Sequence, residues 1–203
     1  GSALFAFGDS IAIAAVYGPR TFHPQHKQNP EKGVLRVNYD MLSFSVTERK
    51  RPGPSRRSNE ISKVIEWSLS PVLQLASFPN TVVDVFVTII QANASTRCAA
   101  INAAAIALAH AGVPMTELVS AVSVGKLDKS IVVDLVKEEE DYEEGEGASD
   151  IPMAFTAESH NISLLQLDGK ISVEEMKQAI LAGKEACRKI YAEQKKALGM
   201  IKE

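Results

Sequence analysis

Three groups of residues have the types and spacing for phosphate chemistry. The first is the junction Gln91-Ala92-Asn93-Ala94-Ser95-Thr96-Arg97, which follows a strand-like run and opens a helix-like one. Small residues let backbone N–H groups approach a ligand, and a helix N-terminus favours an anion. Thr96 adds a hydroxyl, and Arg97 a planar fork of donors that matches phosphate oxygens. The same residues also suit plain helix capping by Ser95 beside a surface arginine. The second group is Arg56-Arg57, which closes the run RKRPGPSRR from Arg49 to Arg57, with five cations and no acid. Paired arginines on a polar loop can grip two phosphates of a nucleic-acid backbone, or simply form a solvated charge run. The third is KEEEDYEEGEGASD, Lys137 to Asp150, with eight acids and one lysine. Carboxylates held together bind Mg²⁺ through oxygen or supply a general acid. Most of this run reads as a solvated acidic turn. Asp150 differs because it abuts the next strand, where a side chain is held rigidly.

The chain outside these groups narrows the chemistry. It has no P-loop, no zinc spacing and no nucleophile–base motif. His23 and His26 lie in a Pro-rich loop without an acid or cysteine partner, and His110 and His160 read as helix-end and turn residues. Only two cysteines occur, Cys98 and Cys187, each among apolar or small residues, so a disulfide framework and a thiolate metal cluster are both excluded. This fits a reducing compartment. The net charge of −3 excludes a generally basic nucleic-acid binder but leaves room for a local basic site. No apolar run reaches the ~18 residues that span a bilayer, so no membrane partner is expected. The 203 residues, 45% hydrophobic and 23% charged, suit one globular domain with two lobes over 1–203, with 137–150 as an acidic loop.

Alternating strand-like and helix-like segments must position these groups. Ala3 to Phe7, Ser10 to Tyr17 and Val34 to Phe44 read as strands, the last with Leu35, Val37 and Tyr39 alternating against Arg36, Asn38 and Asp40. Ser58 is placed to cap a helix carrying Ile61, Val64, Ile65 and Leu69. Thr81 to Ile90 is rich in β-branched residues and predicts a central strand. Ala94 to Ala111 predicts a helix that stops at Gly112. Leu118 to Val124, Ser130 to Val136, Ile151 to Ala157 and Ile162 to Leu167 are further strands. Ser172 and Glu175 form a capping box for a long final helix with Met176, Ile180, Cys187 and Tyr191 on one face. The pattern predicts an α+β or α/β domain with mixed sheets.

Several stretches together resemble the RNase PH family of phosphorolytic exoribonucleases, and within it the catalytic ring subunit of archaeal exosomes. They are IAIAAVYGPR (11–20), VLRVNYDMLSFSVTERKRPGPSRR (34–57), EISKVI (60–65), FPNTVVDVFVTIIQANASTR (78–97), ALAHAGVPM (107–115), VGKLDKSIVVDL (124–135), ASDIPMAF (148–155) and LLQLDGKIS (164–172). The resemblance implies an RNase PH-like fold, also described as ribosomal protein S5 domain 2-like, with two βαβα-type halves. It implies a six-membered ring in which catalytic subunits alternate with a related non-catalytic one, capped by S1/KH-type RNA-binding proteins. RNA 3′ ends would be shortened by inorganic phosphate as co-substrate, with release of nucleoside diphosphates, Mg²⁺ assistance and reversal to polymerisation, in the cytoplasm.

Residue by residue, the resemblance puts Ser95, Thr96 and Arg97 on the phosphate-binding turn and Arg56 and Arg57 on the paired arginines that hold RNA. Arg36 matches a basic residue facing the RNA path. Asp150 matches the second catalytic aspartate and a metal ligand. Its partner, six residues earlier in the family, is Asp141 if the loop is three residues longer here, with Glu144 as the alternative. Other departures are Asn93 and Ser95 where the family carries Asp and Gly, and Asn38 where it carries a second arginine. The family's N-terminal segment, with its Asp-Gly-Arg motif, is expected to be absent. Two other roles stay open: a non-catalytic scaffold that only grips RNA, and a homohexameric RNase PH that trims tRNA 3′ ends.

Overall fold

The computed structural model describes residues 1–128, 130–142, 145 and 147–200. It has two four-stranded mixed or antiparallel sheets. The first contains β1 (Ser2–Phe7), β2 (Ser10–Thr21), β3 (Val34–Met41) and β4 (Thr81–Gln91) in the order β1-β2-β4-β3. β3 runs parallel to β4, and the other neighbours are antiparallel. The second contains β5 (Val119–Leu127), β6 (Ser130–Val133), β7 (Ala148–Thr156) and β8 (Ile162–Leu165), antiparallel in the order β6-β5-β7-β8. α1 (Arg56–Leu69) joins β3 to β4, and α2 (Thr96–His110) joins the two sheets in sequence.

α2 lies between the sheets. Twelve of its fifteen residues are buried, and it is rich in alanine. A helix apolar on every side must be enclosed, and small side chains let strands approach it from opposite directions. β5 is covered on both faces: Val119 and Ala121 join the core around α2, while Val122 and Val124 pack with α4 (Val173–Ala197). Gly183 of α4 makes this approach possible, because a Cβ there would stand 2.1 Å from the Met153 sulfur. A buried polar network ties the layers. Asn102 of α2 exchanges hydrogen bonds with the Ala121 backbone, Gln194 of α4 donates to Asn102 Oδ1 and to the Val119 carbonyl, and Ser120 donates to Gln194.

The strands and helices expected from sequence are present with shifted ends. The α1 cap is Ser55, not Ser58; the two serines form a reciprocal box in which Ser58, the third helical residue, bonds back to Ser55. β7 starts at Ala148, so Asp150 lies inside the strand and not ahead of it. The acidic run is not all loop: Lys137–Glu140 forms one helical turn, α3. On α4 the buried residues are Ala179, Gly183, Cys187, Ile190 and Gln194, so Tyr191 lies at the margin of the expected face. Both cysteines are free and buried. Among the described residues, no helix is long and apolar enough to cross a membrane.

Candidate active site

The turn between β4 and α2 carries two successive left-handed residues, Ala94 at φ 56° and Ser95 at φ 49°. The step from left-handed Ser95 to helical Thr96 is the change of hand that turns consecutive backbone N–H groups into a concavity suited to an anion. Left-handed backbone strains a side chain, so this position would suit glycine better than serine. Ser95 is the N-cap residue of α2, yet its side chain makes no cap bond. Its hydroxyl points instead to the Leu135 carbonyl, 3.4 Å away. The turn is tied to its surroundings by Ser10, whose hydroxyl donates to the Ala94 carbonyl at 2.8 Å and accepts from the Asn93 N–H at 2.8 Å.

Thr96 and Arg97 follow on the first turn of α2. The Thr96 hydroxyl faces the Tyr39 hydroxyl of β3 at 3.2 Å. Burial pushes the Tyr39 phenol up, while its bond to Thr96 and the charges of Arg57 and Arg97 pull the other way. Tyr39 therefore marks where the two arginines converge. Arg97 has a weak contact with Glu60 of α1, 3.5 Å from Nη2 to Oε1, and its buried Nε has no partner. A guanidinium with an unused, buried donor has capacity for another acceptor. Arg56 and Arg57 are the first two residues of α1, both exposed, and the Arg97–Glu60 contact brings the first turns of α2 and α1 together.

Across from this turn stands Asp150. The register pairs Asp150 with Gly125 of β5, which brings its carboxylate to the Ser123 hydroxyl, a hydrogen bond donated by the serine. Burial raises the Asp150 carboxyl above its ordinary value, and the charges of Glu140 and Asp168 add to that. The Ser123 bond and Arg97 oppose the rise. The result is a carboxyl that holds its proton more readily than an exposed aspartate, with the Arg97 charge working against the rise. The acidic segment reaches the phosphate turn through Asn93, whose Oδ1 accepts the Lys137 N–H at 3.0 Å. The amide oxygen of Asn93 is the acceptor that fixes the start of this segment. Burial also pushes the Asp134 carboxyl up, with nearby Ser95 opposing the rise.

The structure thus brings together Ser95, Thr96, Arg97, Arg57 and Asp150, with Arg56 beside them. Other expected residues lie differently. Asp141 is paired with Lys137 at 2.6 Å and is exposed, whereas Glu140, one residue earlier, is the carboxylate of this run whose charge reaches Asp150. Glu144 lies outside the described residues. Arg36 pairs with the buried Asp84 at 2.5 Å, which also receives Arg20. Its strand position is opposite Asp84, five residues before Met41, so it sits about 16 Å along β3 from the site end of the sheet. Among the described residues no three His, Cys, Asp or Glu side chains gather as a metal cage. Tyr39, Ser123, Glu140 and Glu60 were not legible as site residues. Tyr39 alone had a signal, as an inward position of an alternating strand one step from the site.

Two four-stranded sheets thus enclose an alanine-rich helix, and the turn that opens this helix lies among arginines and acidic residues. The chain belongs to the RNase PH family: the 3′ exoribonuclease family models match it over residues 1–114 for domain 1 and 117–186 for domain 2. It is 50% identical over 198 residues to the exosome complex component Rrp41 of Thermococcus gammatolerans, covering 98% of this chain and 78% of that protein. The Rrp41 of Nitrosopumilus maritimus is 46% identical over the same length, covering 98% and 80%. Among solved structures, rice Rrp46 superimposes with a TM-score of 0.85 at 26% identity, covering 98% of this chain and 88% of that one.

Proposed function

We propose that this chain is the phosphate-dependent 3′-to-5′ exoribonuclease subunit of an archaeal-type exosome ring. The observation that carries the reading is Arg97, with a buried unpartnered Nε at the left-handed turn of Ala94 and Ser95, standing near the raised carboxyl of Asp150. Membership of the family and the likeness to Rrp41 proteins support the exosome setting. The likeness to Rrp46 supports a ring shared with related subunits.

In this reading inorganic phosphate sits on the turn, held by Ser95, Thr96 and Arg97. Arg56 and Arg57 hold the RNA backbone, which needs no base readout for sequence-independent degradation. A phosphate oxygen attacks the terminal phosphodiester, a new P–O bond forms, and the bond to the 3′ oxygen of the penultimate nucleotide breaks. That oxygen takes a proton from Asp150, which leaves a nucleoside diphosphate and RNA one residue shorter. Anion attacking anion requires positive charge, which Arg97, Arg56 and Arg57 supply. The donor chemistry also suits Mg²⁺, since this ion accepts one or two carboxylates with water and substrate oxygens filling the rest. Asp150 with Glu140 or Asp141 would hold it, and it would neutralise charge on the transferring group. The non-catalytic ring partner and S1/KH-type cap proteins complete the proposed assembly. The two free buried thiols support a reducing, cytoplasmic setting.

The test is the product released from 3′-labelled poly(A), with and without phosphate, by the chain alone and in its ring. Phosphate-dependent diphosphate release is expected. Monophosphate release would mean hydrolysis and overturn the roles of Thr96 and Arg97. No release from the complete ring would leave a scaffold that only grips RNA.

A further inference from the structure

We infer that Phe44 is a stacking platform for an unpaired base of the RNA whose backbone the arginines hold. The inference rests on the proposed exoribonuclease reading. Phe44 is 73% exposed, the most exposed phenylalanine of the chain among the described residues. Its exposure is built and not a by-product of a loose loop. Ser45 next to it is buried, and Val46 packs against the main core. The Ser45 N–H donates to the Leu42 carbonyl at 2.9 Å, and the Lys50 N–H to the Ser43 carbonyl at 3.1 Å, so the backbone on both sides of Phe44 is tied down.

The same segment is docked on the phosphate turn. The Ala92 N–H donates to the Ser45 carbonyl at 2.8 Å, and the Leu42 N–H to the Ile89 carbonyl at 3.0 Å. Phe44 thus stands beside the approach to Ala94–Arg97. The loop it begins carries Arg49, Lys50 and Arg51 and ends at Arg56 and Arg57. An outward aromatic ring set among cations is the combination that binds single-stranded nucleic acid: cations track the backbone, and the ring takes a base face whatever its identity. Purines, with larger faces, gain more from it than pyrimidines.

The test compares Phe44→Ala, Phe44→Leu and Phe44→Tyr in the assembled ring, measuring KM for A- and U-oligomers and, separately, KM for phosphate. Phe44→Ala is expected to raise the KM for A-oligomers by about 5- to 150-fold, the worth of one stacked base. Phosphate KM should stay within twofold. Phe44→Tyr should restore binding and Phe44→Leu should not, since leucine supplies area without a π face. An unchanged RNA KM in Phe44→Ala, or a Leu variant as good as wild type, overturns the inference. If the wild-type ring releases no diphosphate, the exoribonuclease reading fails instead. Quenching of 2-aminopurine near the RNA 3′ end then decides Phe44 alone: loss in the Ala variant supports the platform, and equal quenching refutes it.

Discussion

Removing the Arg97 side chain separates a ligand-binding arginine from a structural one. In the folded protein its partner is Glu60, half exposed, at 3.5 Å, so the ion pair contributes at most about 1 kcal/mol. Arg97 is itself 22% exposed, so Arg97→Ala also loses some packing of its stem. The melting temperature should fall by only a few degrees, given about 2–4 °C per kcal/mol for a chain of this size. Towards phosphate the loss is larger. A hydrogen bond to a charged group contributes about 1.5–3 kcal/mol, so removing one raises the phosphate KM by roughly 10- to 150-fold. Lysine should recover part of the loss, because it restores charge but not the planar fork. The assay is initial-rate phosphorolysis at saturating RNA across a phosphate series, with melting curves run alongside. A phosphate KM within twofold of wild type would refute the phosphate-site reasoning. A large drop in melting temperature with proportional loss of all activity would show that Arg97 holds the fold and not the ligand.

Asp150→Asn keeps a partner for Ser123 but cannot donate the proton, so the rate should drop by about 10²–10⁴. Because burial raises this carboxyl, wild-type activity should decline as pH rises through its folded value, and the variant should lack that limb in a pH–rate profile. Ser95 already carries the strain of a Cβ at φ 49°, about 1–2 kcal/mol, so Ser95→Gly should raise the melting midpoint and leave the phosphate KM near wild type. Gly183→Ala pushes a Cβ to 2.1 Å from the Met153 sulfur; overpacking of about 1–3 kcal/mol exceeds the gain of about 1 kcal/mol in helix propensity, so thermal melting should show a lower midpoint. Burial opposes the charge on Asp84, but the bonds and charges of Arg36 and Arg20 outweigh it and hold its carboxyl low. Its stabilisation is complete above the unfolded value and lost as pH falls through the folded one. The stability gap to Asp84→Asn, followed by denaturant titration, should therefore close in acid below about pH 4.

What the sequence shows well is what depends on neighbours along the chain. The β-branched run of β4, the alternation of β3 and the Ser172–Glu175 box each carry a local physical cause, and each element forms where that cause places it. The turn before Arg97 is legible as a strand-to-helix junction, but small residues there fit plain capping as well as an anion site, and its left-handed pair is not written in the residue types. Asp150 is legible as a residue, but its raised carboxyl comes first from burial inside the β5–β7 register, which no local pattern of the chain shows; the Ser123 bond, from 27 positions away, works against it. The acidic run hides its helical turn because charge pattern alone does not distinguish a solvated loop from a short helix anchored by Asn93. Ser55 escapes notice because its box uses serine at the third position, where glutamate is the usual signal.

The burial of α2 has a consequence for how the site fails and how it can vary. The phosphate turn is the end of a helix locked between two sheets, so it can move only if the core opens with it. Amide protons along α2 should exchange only by global unfolding. Heat should abolish phosphate binding and the fold at one temperature, without an earlier inactive state. The opposite wall is made of surface segments, the Leu42–Ser55 loop and the run after Lys137, which can be lengthened without disturbing the core.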